Sequence, residues 1–450
     1  MQGSHSSKSS SNNHVAVLPF PVFSHVLPLF NLTCKLAIAS PEVVFSFFGS
    51  AKINSAVLSA KKDLIPSNVK TFNLEVPGEV FPVLVAAFPR SFEKAADTDV
   101  TFVITDAFYS YPVGELAEKL KLRWAAFYVA APYSFAAHLH ADIIQKQYME
   151  LANGANGEVD PDRDLEGIPG LSSIKIGDLP PEVIPVESPN PVADLIDKMR
   201  LKISGASAVI FSTYLELHSA TLTNHLMYLI PNVAFVGFLT LEQVPLPHPP
   251  PSSADSTGCL TWLDHQKEAS VIYISFGSVT SLPRNEMVEL ANALAEKGVP
   301  FLWSLSDRLK EQLPDGFLER TSKQGKVVPW TPQMQVLAHP SILVHLTHGG
   351  YHSVCESIVA AVAMICRSIW ADNHMNARVV EEEWEIGIRV KGGVISKDGM
   401  LETLKMVEER KKTMRDSIKK LNKLVIEAAR PDGSASAGLK TLQKVISGEC

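Results

Sequence analysis

Short, nearly uninterrupted apolar runs alternate with longer amphipathic stretches along this chain, and that alternation constrains the fold more than any other feature. The runs cover residues 14–18, 43–48, 101–105, 125–129, 209–212 and 233–238, and a second series covers 271–276, 301–304, 327–328, 342–346, 364–366 and 388–390. Strands apolar on both faces belong to parallel sheets with helices on either side, where both faces are buried. Two such series predict two doubly wound α/β domains, and 450 residues are enough for both. Sheets of this type bind ligands beyond the C-terminal ends of their strands, so two of them face to face make a cleft with one ligand held by each. That geometry suits a transfer between two substrates, although a fold alone fixes no reaction.

The series part at residues 245–257, where five prolines stand within seven residues and the remainder is rich in Ser and Asp. Such a stretch makes neither helix nor central strand and reads as a linker. The expected organisation is a Ser-rich tail over 1–13, an N-terminal domain over 14–244, the linker, a C-terminal domain over 258–437 and a closing segment over 438–450 that is free to pack back on the N-terminal domain. The 48 Asp and Glu outnumber the 41 Lys and Arg, for a net charge of −7, which argues against a dedicated nucleic-acid binder. Five cysteines without Cys-x-x-Cys spacing make no disulfide framework and point to a reducing compartment. The longest apolar runs, 80–88 and 358–365, have the length of one core element and fall short of a membrane helix. The N-terminal tail is too polar for a signal peptide. A cytoplasmic monomer is expected.

Residues 330–373 hold the densest cluster of chemically unusual side chains. Within it 342–346 predict a strand and 353–361 a helix, joined by Thr347-His-Gly-Gly-Tyr-His-Ser353. A strand-to-helix turn of this kind offers free backbone N–H groups to an anion, and Gly349 and Gly350 permit close approach. His348, His352 and Ser353 add donors suited to a phosphate or diphosphate. Trp330 with Pro332 presents a flat stacking surface, and Glu356 can accept from ribose hydroxyls. On spacing alone, an ordinary connection with incidental histidines and a core Trp stands level with this reading, and Asp372-Asn373 reads equally as an exposed polar turn.

The segment resembles the donor-binding signature box of the plant family 1 UDP-dependent glycosyltransferases, which opens at a Trp and spans 44 residues, the length from Trp330 to Asn373 without a gap. His14-Val-Ala-Val-Leu-Pro-Phe-Pro21, Thr105-Asp-Ala-Phe108, Gly258-Cys-Leu-Thr-Trp-Leu-Asp264 and Tyr273-Ile-Ser-Phe-Gly-Ser278 also look like family segments, so the resemblance covers nearly the whole chain. It is strongest toward the flavonoid and anthocyanidin 3-O-glucosyltransferase branch. What it implies is a GT-B fold, two Rossmann-like domains facing a cleft, and inverting transfer of a sugar, glucose first, from a UDP-sugar to a hydroxyl of a flavonoid or related phenol. By position Trp330, with Thr331 beside it, would stack on uracil, and Gln333 and Glu356 would hold the ribose. His348, Ser353, Ser278 and Thr280 would contact the diphosphate, and Asp372 and Asn373 the sugar. The partners implied are a UDP-sugar co-substrate and a small aromatic acceptor, with no cofactor and no metal.

The resemblance also makes His25 the general base and Asp106 the carboxylate that orients it. The chemistry is sound independently, because an imidazole takes a proton near neutral pH and a carboxylate on its other nitrogen fixes the tautomer. Taken singly, His25 reads as structural and Asp106 as a helix cap. No Gly-x-Gly-x-x-Gly follows the first run, where Phe20-Pro-Val-Phe-Ser24 stands, which disfavours a dinucleotide-dependent oxidoreductase.

Several positions depart from the family pattern. Where the family usually has His-Cys-Gly-Trp-Asn-Ser, this chain has His348-Gly-Gly-Tyr-His-Ser353, so Tyr351 replaces a Trp near the sugar and His352 an Asn that meets phosphate. Ala363 stands for a usual Pro and Ala371 for a usual Gly. Asn373 is neither the Gln of most glucose users nor the His of many galactose users, and His374 follows it. On the acceptor side Phe23, Phe108, Phe127, Val129 and His374 are the expected lining, with Phe23 and Val129 replacing smaller or hydroxylated residues. These departures keep a second reading open, a weakly active or inactive homologue that binds UDP or a small aromatic ligand.

Overall fold

The computed structural model describes residues 13–60, 64–76, 87, 89–94, 99–153, 159–185, 191–241, 255–277 and 281–449. Residues 245–254 of the expected linker, 1–12 of the expected tail, the run 80–88 apart from Ala87, and Ser278 and Thr280 of the donor set lie outside the described residues.

The N-terminal sheet is built from β1 (His14–Leu18), β2 (Val44–Gly49), β3 (Val69–Asn73), β4 (Phe102–Asp106), β5 (Arg123–Tyr128), β6 (Ala208–Phe211) and β7 (Val233–Phe235). Its order is β3-β2-β1-β4-β5-β6-β7, with every pairing parallel. The C-terminal sheet comprises β8 (Val271–Ser275), β9 (Phe301–Ser304), β10 (Gly325–Val328), β11 (Ile342–Thr347), β12 (Ala363–Cys366) and β13 (Gly387–Arg389). It runs β10-β9-β8-β11-β12-β13, again all parallel. The two doubly wound domains expected from the apolar runs are therefore present. β3 was not among those runs, because an edge strand reading Val-Lys-Thr-Phe-Asn buries only its first residue and carries no continuous apolar signal.

Alternation along each strand divides its side chains between two cores. Val15 and Val17 join the core beneath the helix Phe23–Ala39, while Ala16 and Leu18 join the other. In β8, Ile272 and Ile274 enter one core and Val271 and Tyr273 another. The core that contains Ala16, Trp124 and Phe211 also takes in Tyr351, Val354, Ile358 and Met375, so the apolar packing continues across the domain boundary.

The 32-residue helix Lys397–Ala428 links the two halves. Ser396 Oγ caps it by accepting from Gly399 N. Its first half buries Met400, Leu404 and Val407 against the C-terminal sheet, and its last turns bring Ile418, Val425 and Ala428 into the shared core. The chain then returns to the N-terminal domain. The helix Ser434–Ser447 buries Leu442, Val445 and Ile446 with Val15 and Phe30, and Arg123 donates to the carbonyls of Val445 and Ile446 at 2.7 and 3.0 Å. Gly438 permits this contact, since a Cβ there would stand 2.1 Å from the Phe235 carbonyl oxygen. Cys34, Cys259, Cys355 and Cys366 are not in disulfides. No helix among the described residues is long and apolar enough to cross a membrane.

Candidate active site at the facing strand ends

Both sheets reverse their strand order at one place, between β1 and β4 and between β8 and β11, and doubly wound sheets open a ligand crevice at such switch points. In the N-terminal domain Leu18 is in register with Thr105, so the segments leaving β1 and β4 start side by side. Asp106 ends β4, and His25 sits in the first turn of the helix that follows β1. The His25 Nδ1 and Asp106 Oδ2 are 2.8 Å apart. Asp106 is almost fully buried, and its other oxygen, Oδ1, accepts from Phe108 N at 3.0 Å. The cap expected of this Asp and the partner expected of His25 are thus one carboxylate serving both. The imidazole packs against Phe20 and Phe108, with ring centroids 5.3 and 5.5 Å away, and Nε2 is left as the nitrogen able to meet a substrate.

In the C-terminal domain Thr347 is in register with Ser275, which brings the segment after β8 beside His348. Gly349 adopts φ +77°, a left-handed conformation that favours glycine, and a Cβ on Gly350 would lie 2.3 Å from His348 Nε2, so a side chain there would have to displace that ring. The helix Tyr351–Ala360 begins here with no side-chain cap, which leaves its first N–H groups facing the crevice end. His348 Nδ1 is buried without a hydrogen-bond partner among the described residues, and burial lowers its pKa to about 4. His352 is lowered to about 4 by burial, with His25 and His348 adding to the effect and the Val129 backbone opposing it. His25 and Val129 of one domain therefore face His352 of the other across the cleft.

A second group surrounds Trp330, which is 62% exposed. It borders a cavity of about 570 Å³ that Ser304, Leu305 and Gln333 also line. Thr331 is buried with its hydroxyl 2.7 Å from Tyr273 Oη. Tyr273 also donates to Gln333 Oε1 at 2.9 Å, and Gln333 Nε2 donates to Glu356 Oε2 at 2.5 Å. Burial raises the pKa of Glu356, with the Gln333 bond opposing. Tyr273 holds this network together, and no local pattern distinguished it from any other strand residue.

At the far end of the box, Asp372 and Asn373 are not an exposed turn. Asn373 is buried, and both its Nδ2 and Asp372 Oδ2 lack partners among the described residues. Burial raises the Asp372 pKa to about 6, helped by Glu182 and opposed by His138 and Asn376. His138 and Glu182, 3.7 Å apart, come from the N-terminal domain. Sequence reading passed over both, since nothing local marks a residue whose partners lie hundreds of positions away. Ala371, just before them, is held at φ +51°.

Three expected site residues are placed elsewhere. Phe127 has no exposed surface and packs in the core beneath the helix Phe23–Ala39, because alternation in β5 turns it to that side and sends Ala126 and Tyr128 to the other. Tyr351 is buried and donates its hydroxyl to Thr213 Oγ1 at 2.6 Å, so its polar atom is committed to the domain boundary. His374 lies within electrostatic reach of Asp178, Arg367 and Arg389, in a charged cluster rather than beside His25. Phe23, 51% exposed, and the half-buried Phe108 and Val129 remain around the His25 end of the cleft. Ser353 is buried in the first turn of its helix.

The model of the UDP-glucoronosyl and UDP-glucosyl transferase family matches residues 203–428. The chain is 36% identical to a flavonol 3-O-glucosyltransferase of Actinidia chinensis var. chinensis, over 96% of each chain. It is 37% identical to an anthocyanidin 3-O-galactosyltransferase of Rhododendron delavayi, over 98% of each. Among solved structures, a UDP-glucose:anthocyanidin 3-O-glucosyltransferase in complex with UDP superposes with a TM-score of 0.87 at 32% identity, covering 97% of this chain and 99% of that one.

Proposed function

The chain belongs to the UDP-glucoronosyl and UDP-glucosyl transferase family, has its GT-B fold and is a glycosyltransferase, and from that premise we propose that it moves glucose from UDP-glucose to a hydroxyl of a flavonoid or related phenol. The observation that carries this reading is the 2.8 Å pair of His25 Nδ1 and Asp106 Oδ2 at the switch point, facing the C-terminal strand ends.

In the proposed reaction His25 Nε2 takes the acceptor proton as the oxygen attacks the anomeric carbon. The oxygen–carbon bond forms on the face opposite the breaking bond to UDP, which inverts the centre and releases UDP with its electron pair. Asp106 keeps the Nδ1 proton in place and balances the imidazolium. The departing diphosphate gains charge where the uncapped helix Tyr351–Ala360 and His348 point. Trp330 supplies the stacking surface for the base, and the Gln333–Glu356 pair faces the ribose. The unpaired Asp372 Oδ2 and Asn373 Nδ2, an acceptor beside a donor, match adjacent sugar hydroxyls. UDP-sugar serves as co-substrate, and the scheme uses no cofactor.

Relatives that use glucose and galactose are about equally similar, so the sugar rests on the Asn373 amide, which shares its chemistry with the Gln of glucose users. The test is product formation by mass spectrometry, with UDP-glucose, UDP-galactose and UDP-xylose each offered to flavonols, anthocyanidins and simple phenols. A hexose mass gain with UDP-glucose preferred is expected. No transfer from any donor, by folded protein that binds UDP, would favour the weakly active homologue instead.

A further inference from the structure

The short helix Asn373–Arg378 begins with a residue of the sugar end of the site and is held from the other domain at two points. Tyr133, buried in the helix Pro132–Leu139 of the N-terminal domain, donates its hydroxyl to Asn376 Oδ1 at 2.6 Å. Arg378 Nε donates to the buried Asp178 at 2.7 Å. Asn376 is fully buried, and its amide is used at both ends, because Nδ2 donates to the Gly349 carbonyl at 3.0 Å. A flipped amide would set its oxygen against the Gly349 carbonyl, which can only accept, so its orientation is fixed. Its backbone N–H, in turn, donates to the Asp372 carbonyl at 2.9 Å.

Asn376 therefore touches two segments that are separate in sequence. One is the turn carrying His348 with its unpaired Nδ1, and the other is the helix start carrying the unpaired Asp372 Oδ2 and Asn373 Nδ2. We propose that Asn376, oriented by Tyr133, is a positioning residue that fixes the spacing between the diphosphate turn and the sugar-binding helix start, and so lets the N-terminal domain set how an intact UDP-sugar is held. The proposal rests on the UDP-sugar reading above. UDP alone engages only the turn, whereas UDP-glucose must satisfy both segments at one spacing. A loosened Asn376 thus weakens the sugar nucleotide and spares the nucleotide.

The test compares Tyr133→Phe with wild type by calorimetry, using UDP and UDP-glucose without acceptor, so that any contact of Tyr133 with an acceptor plays no part. Expected is a loss on the order of tenfold for UDP-glucose, with UDP affinity within about twofold of wild type, as misplacement of a preorganised group predicts. Asn376→Asp keeps the acceptor for Tyr133 but removes the donor to Gly349, and should lose more. A residue serving the fold alone would lower Tm and weaken both ligands equally, or neither, and either result overturns the proposal. Wild type binding neither ligand would overturn both the proposal and the UDP-sugar reading. The expected split, in a wild type that forms no glycoside, would sink the proposed transfer while the positioning role stands.

Discussion

Tyr351 of the C-terminal domain donates its hydroxyl to Thr213 of the N-terminal domain at 2.6 Å, and Thr213 Oγ1 lies 3.1 Å from His218 Nε2. The side chain that opens the uncapped helix thus gives its hydroxyl proton to the other domain. Tyr351→Phe should cost about 1 kcal/mol of stability, the usual net worth of a buried hydrogen bond, and leave UDP affinity unchanged. Denaturant unfolding and calorimetry on the same variant check this. A weakened UDP with unchanged stability would return Tyr351 to the donor site.

Much of this arrangement was legible in the sequence. The apolar runs marked twelve of the thirteen strands among the described residues, and the resemblance paired His25, beyond β1, with Asp106 at the end of β4. Proximity across the sheet follows from strand order, which runs of residues only suggest. The opposite failure is Phe127: an aromatic at the end of a strand looks like pocket lining, but alternation alone does not say which face of a sheet turns toward the cleft. Asp178, Glu182 and Asn376 escaped notice because each acquires its role only from a partner in the other domain, and Tyr133 reads from sequence as one more aromatic of the acceptor side rather than as the partner of Asn376.

His25→Ala should abolish transfer while leaving UDP binding nearly intact, since the imidazole sits at the N-terminal switch point and the residues proposed to hold the nucleotide belong to the other domain. Asp106→Asn should retain the geometry but favour the wrong tautomer, and lose activity less completely. Steady-state turnover with calorimetry on each variant distinguishes the two effects. Wild-type turnover in His25→Ala would remove the residue from the mechanism.

Trp330 keeps 62% of its surface exposed beside the cavity, so truncating it removes stacking area at little expense to the core. Stacking of a base on an aromatic ring is worth about 1–3 kcal/mol. Trp330→Ala should therefore weaken UDP between about fivefold and about 150-fold, with Tm nearly unchanged. Unchanged UDP affinity would mean that the base lies elsewhere.

Ala371 is held at φ +51° immediately before Asp372, at the position where the family pattern has Gly. An alanine in the left-handed region costs about 1–2 kcal/mol relative to glycine, part of which the greater freedom of an unfolded glycine offsets. Ala371→Gly should gain roughly 1 kcal/mol and raise Tm without weakening UDP-glucose. A fall in Tm would show that the turn carries no strain.

Buried histidines make the protein sensitive to acid. His348 and His352 are lowered to about 4, and His218 and His345 to about 3, in each case chiefly by burial. Below pH 6.5 the unfolded chain takes up these protons and the native state does not, so stability falls as pH falls. The loss grows by about 1.4 kcal/mol per histidine for each pH unit until its native value is reached. Asp372, between about 6 and its unfolded value of 3.8, and Glu356, which burial also raises, act in the opposite sense because the native state protonates first, but they are two groups against four. Denaturant midpoints should therefore drop steadily from pH 7 to pH 5. His345 packs flat on Tyr273 with its Nδ1 2.9 Å from Ser357 Oγ, far from any surface, so His345→Asn should flatten that slope while lowering stability at pH 7. A midpoint that stays level from pH 7 to pH 5 in the wild type would mean that water reaches these rings in the native state.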